Sequence, residues 1–76
     1  MLSQETIRRL TRNAPRVARI KAAFRLLGWS YSDAAQWSVY SSDQIREALS
    51  RQQPEHILQD VEQVIRIERR RIAAHL

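Results

Sequence analysis

Cysteine is absent from this 76-residue chain, which excludes disulfides, thiolate zinc sites and cysteine nucleophiles. Glycine occurs once, as Gly28, and proline twice, as Pro15 and Pro54. Sheets of short strands need turn residues, so this scarcity argues against a β fold and for helices. The apolar runs are no longer than three or four residues, far short of the roughly twenty that a membrane-spanning helix needs. The opening MLSQETIRR has no apolar stretch of signal-peptide length. A cytoplasmic protein without a membrane partner is expected.

Catalytic equipment is equally thin. The only histidines, His56 and His75, are nineteen residues apart, and no third ligand is spaced around either, whereas a metal site needs three or four converging groups. One glycine cannot build a phosphate loop. The serines lack a nearby histidine and a glycine-rich elbow, so they read as helix caps rather than nucleophiles. No enzyme, no cofactor and no small-molecule substrate are expected.

What is present fits one small helical domain over residues 1–76. About 43% of the residues are apolar and 28% are charged, the balance of an ordered soluble chain. With no covalent staple, stability must come from helix packing and from self-association. Thirteen basic residues face eight acidic ones, for a net charge of +5. All the basic residues except Lys21 are arginine, the better fork for phosphate and carboxylate; a GC-rich genome produces the same bias. The charge is unevenly spread. Residues 1–28 carry seven basic groups against Glu5, residues 29–50 carry Arg46 against three acids, and residues 51–76 are nearly balanced.

Helical spacing recurs along the chain. Ser3 reads as an N-cap for a short first helix over roughly 4–12, with Ile7 and Leu10 on one side. Asn13 reads as a break, with Pro15 in the first turn of a second helix. Val17, Ile20, Phe24 and Leu27 form its apolar stripe, and Gly28 stands where a left-handed C-terminal cap belongs. Ser30 or Ser32 caps a third, short helix through Ala34, Ala35 and Trp37. Ser41 and Gln44 have capping-box spacing for a fourth, which turns Ile45, Ala48 and Leu49 inward and closes at Gln52-Gln53-Pro54. A long helix then runs from Pro54 to near residue 75. About 30 Å of it outruns a three-helix core. Its band of Ile57, Val61, Val64, Ile65 and Ile72 is therefore expected to pair with a second copy in a homodimer.

Residues 16–51, RVARIKAAFRLLGWSYSDAAQWSVYSSDQIREALSR, read as helix, glycine turn, short helix, tight turn, helix. That is the plan of a trihelical helix-turn-helix core, here over 15–52. Ala35 stands where the crossing helices touch, and Ala34, Trp37 or Val39, Ile45 and Leu49 are placed to face the preceding helix. The segment Leu26-Leu27-Gly28-Trp29-Ser30-Tyr31, the pair Ala34-Ala35, and Ile45-Arg46 with Leu49 resemble the N-terminal helix-turn-helix of insertion-sequence transposases and related homeodomain-like DNA-binding modules. The resemblance covers under half of the chain, and no transposase catalytic domain accompanies it. It implies an all-α fold and a reading helix at residues 42–51.

On that reading the chain is a small transcriptional regulator that binds double-stranded DNA as a homodimer. Ser42, Gln44, Arg46 and Glu47 would meet base edges, and Arg8, Arg9, Arg12, Arg16 and Arg19 would hold phosphates. Arg69, Arg70 and Arg71 form a second basic run, suited either to phosphate or to the negative end of a helix dipole. Trp29, Tyr31, Trp37 and Tyr40 read as packing rather than as a base-stacking platform. The reading helix departs from the family's usual two or three basic residues: it offers Asp43, Arg46, Glu47 and Ser50. The sequence therefore keeps a second reading open, a phage- or plasmid-borne module that binds and inhibits a host protein on the same scaffold.

Overall fold

A computed structural model describes residues 3–75; the side chains of Thr6, Arg9, Leu10, Thr11 and Arg12 lie outside the description. Four helices follow one another: α1 (Gln4–Leu27), α2 (Tyr31–Ala35), α3 (Ser42–Arg51) and α4 (Glu55–Ala74). No strand occurs among the described residues, so the fold is all-α.

The expected break at Asn13 does not occur. α1 runs through Pro15 as one helix of 24 residues, about 36 Å long. An interior proline costs a helix about 3 kcal/mol, and tertiary packing outweighs that here. Asn13 is fully buried; instead of capping, its side-chain amide donates to the Gln52 carbonyl at 2.8 Å. Val17, Ile20, Ala23 and Phe24 continue the same buried face.

Each shorter element has local causes. At Gly28, φ is +68°; the Trp29 amide donates to the Phe24 carbonyl at 2.8 Å and the Gly28 amide to that of Arg25 at 3.2 Å, the paired bonds of a Schellman end. Ser30 and Asp33 cap α2 reciprocally, and Ser41 and Gln44 do the same for α3. Gln52 takes the left-handed conformation that ends α3 (φ 59°), and the Gln53–Pro54 bond is cis.

α2 is shorter than its expected span. It ends at Ala35 and residues 36–40 form a turn, so the helical period does not reach Trp37 or Val39. Both are exposed, at 61% and 86%, rather than packed on α1. Ser38 is the turn residue that reaches inward: its hydroxyl donates to Asp60 on α4 at 2.5 Å and accepts from the Tyr40 amide. The buried alanine is Ala34; Ala35 is half-buried beside the core, one position away from the expected crossing.

One core holds the chain together. Ile45, Ala48 and Leu49 of α3 meet Ile57, Leu58, Val61 and Ile65 of α4 and the buried stripe of α1. Phe24 packs at 6.0 Å against both Trp29 and Tyr31. Arg16 contacts Glu55 and Glu62 in the first half of α4, while Leu26 lies in one groove with Arg70 and Ala73 near its end. The two long helices therefore run in the same direction.

This corrects the expected dimer seam. Ile57, Val61, Val64 and Ile65 are buried within the single chain, and only Ile72, 41% exposed, is left outside. The expected seam rests on three short helices being unable to cover α4. Residues 16–27 of α1, running beside α4 in the same direction, do cover it.

Candidate nucleic-acid interface

α3 places its polar residues outward because its apolar ones are three and four apart. Ile45, Ala48 and Leu49 point into the core, so Asp43, Gln44, Arg46, Glu47 and Ser50 share the exposed side, with Ser42 half-buried at the first position. The Gln44 side chain is engaged by the cap: its Oε1 accepts the Ser41 amide at 2.9 Å. Arg46 lies over the Tyr31 ring, 5.5 Å from its centroid, and stands 3.8 Å from Asp43. Glu47 pairs with Arg51 at 2.9 Å. The charges on the outer face of α3 thus balance one another. Exposed pairs of this kind are worth under about 1 kcal/mol each, so they order the face only loosely.

Arg16 is not a surface cation. Its side chain is only 13% exposed; Nε and Nη2 donate to Glu62 at 2.8 and 2.6 Å, and Nη1 to Glu55 at 2.6 Å. The hydrogen bonds to Glu62 lead in holding the guanidinium even more firmly protonated than usual, against the opposing effect of burial. Arg16 therefore ties α1 to α4, with three of its five N–H donors committed to carboxylates, and is poorly placed to hold phosphate. Arg8 and Arg19 are exposed on α1. The side chains of Arg9 and Arg12 lie outside the described residues.

The triple arginine divides as well. Arg71 forms two hydrogen bonds with the largely buried Glu68, and these hold the Glu68 carboxyl below the usual carboxylate range. Arg69 and Arg70 stay exposed. Together with Arg19 and Arg66 they edge a groove of about 570 Å³ between α1 and α4. Counting at 100° per residue, the groove residues other than the core members Ile20, Ala23 and Ile65 lie about a third of a turn from the core stripe on each helix. The groove thus opens away from the side that carries α2 and α3. Sequence reasoning missed it because its two walls lie about forty residues apart in the chain.

Among the described residues no three His, Asp or Glu side chains group as metal ligands, and no helix is long and apolar enough to cross a membrane. His56 packs beside the Tyr40 ring at 5.9 Å. Set against known proteins, the chain matches no family model, no curated protein and no solved structure.

Proposed function

We propose that the chain is a DNA-binding helix-turn-helix regulator whose α3 enters the major groove. The observation that carries this reading is the mounting of α3. Three of its side chains are locked into the core, a reciprocal cap fixes its start, and an uninterrupted polar face stays outward. Arg46 is the base-reading side chain: its weak contact with Asp43 lets it swing from Tyr31 to a guanine edge. Arg8 and Arg19 hold phosphates, with Arg9 and Arg12 assigned the same role from the sequence. Two copies on paired half-sites would have to meet through surface other than the buried residues 57–65; the exposed Ile67 and Ile72 on α4 offer it.

The test is a fluorescence-anisotropy titration of random duplex DNA at low and moderate salt. Micromolar binding should fall with salt at a log–log slope of about −3 to −4, the loss expected for about four phosphate contacts. Absence of binding at low salt overturns the proposal.

One observation favours a second reading, a module that binds a host protein. The ion pairs Glu47–Arg51 and Asp43–Arg46 leave α3 without net positive charge, and Glu55 and Glu62 occupy Arg16. Such a module would leave duplex DNA unbound at every salt concentration.

A further inference from the structure

We propose that the groove between the C-terminal halves of α1 and α4 is a docking site for an acidic amphipathic helix of a protein partner. This surface is separate from α3 and does not depend on the DNA-binding reading. Its floor is apolar: Ile20, Ala23 and Ile65 lie at the bottom, and Ala22 and Ala73 on the sides. Leu26 stands on its wall 81% exposed, a large apolar side chain left open among the described residues. The rim is cationic. Arg19, Arg66, Arg69 and Arg70 are all exposed, and none has an ion-pair partner among the described residues; Arg66 makes a long 3.4 Å contact with Gln63. The one acid in the lining, Glu62, is occupied by Arg16.

Charge and shape together select the occupant. A second copy placing the same patch here would set four arginines against four arginines, because a two-fold interface is self-complementary. Duplex DNA would satisfy the rim, but its phosphates would leave the apolar floor and Leu26 uncovered. An extended peptide has no sheet edge to join, since the chain is helical. A helix laid along two neighbouring helices fits ridges into grooves, and alanines let its backbone approach. Such a helix carries apolar residues at steps of three and four for the floor, with Glu or Asp flanking them for the rim. The wall from Glu62 to Ala73 advances about 16 Å, so the occupant spans about three turns.

The experiment uses the full chain and a labelled, lactam-stapled peptide of about fourteen residues with Leu on one face and Glu on both flanks. Fluorescence anisotropy should show saturable binding, and a scrambled peptide of the same composition should bind at least about tenfold more weakly. Leu26→Glu, at an exposed position that leaves folding intact, should weaken binding at least about tenfold. The double change Arg69→Glu with Arg70→Glu should do the same, and exchanging Glu for Lys in the peptide should restore it. No saturable binding overturns the proposal. So does binding that survives Leu26→Glu and falls only with charge reversal, which is non-specific attraction. A self-association that Leu26→Glu abolishes would assign the groove to a second copy and overturn it equally.

Discussion

Gly28 and Asn13 show how differently single residues can matter in one small chain. Gly28 has a φ of +68° and open space where a Cβ would stand. A substitution there meets backbone strain alone. Gly28→Ala should cost about 1–2 kcal/mol by urea denaturation, and Gly28→Asn less, because asparagine tolerates the left-handed region. Asn13 is the reverse case, ordinary in backbone and committed by its side chain. Removing the amide in Asn13→Ala strands the partly buried Gln52 carbonyl and should cost about 1–3 kcal/mol. Asp33 carries a pH dependence. Hydrogen bonds from the Ser30 amide and then its hydroxyl hold the Asp33 carboxyl below the usual range. Its capping contribution is therefore complete above the ordinary carboxylate pKa and is lost as pH falls through the lower folded value. The difference in Tm between the parent and Asp33→Asn should be present at neutral pH and close below about pH 4. On the DNA-binding reading, Arg46→Ala should cost about 1–3 kcal/mol of affinity and relax sequence preference. Arg8→Ala with Arg19→Ala should instead weaken all duplexes alike and flatten the salt slope.

At the scale of elements, the sequence disclosed whatever is decided within a few residues. The Ser41–Gln44 spacing announced the start of α3, Gly28 the end of α1, and the three-and-four steps of Ile45, Ala48 and Leu49 its buried face. What it hid depends on residues far apart. Asn13 looks like a break until its partner 39 residues away is known, and Pro15 looks like a helix start until α4 is seen alongside. Arg16 reads as one more surface cation because Glu62 is 46 residues distant. A helical period places Trp37 inward, but α2 ends at Ala35 in a turn that Ser38 anchors to Asp60. Two variants probe these joints. Ala34→Leu should cost about 1–3 kcal/mol by overpacking the junction of α2 with the core. Arg16→Ala should cost a similar amount by removing the charged hydrogen bonds between α1 and α4. A duplex titration then separates roles: Arg16→Ala should leave the salt slope unchanged, as its guanidinium already faces two carboxylates.

Across the whole molecule, the direction of α1 changes what α4 is for. If the second half of α4 had no neighbour, it would call for a second chain. Residues 16–27 of α1 run beside it in the same direction and supply that neighbour internally, and the molecule is a rod of 49 × 22 × 18 Å with its core along one side and a cationic groove along the other. The two arrangements respond differently to one substitution. Val61 is 1% exposed in the single chain. If the band containing Val61 joined two otherwise folded copies, Val61→Asp would give a folded monomer from a dimeric parent. Here the new carboxylate is buried among Ile45, Leu58 and Ile65 without a partner, a penalty of several kcal/mol against a total stability of about 5–15 kcal/mol. Val61→Asp should therefore lose the cooperative thermal transition and most of the helical circular dichroism signal. By contrast Ile72→Asp, on the exposed end of α4, should keep both. Sedimentation equilibrium on the same samples completes the comparison: a helical, cooperatively melting Val61→Asp monomer would return these residues to an interface between chains.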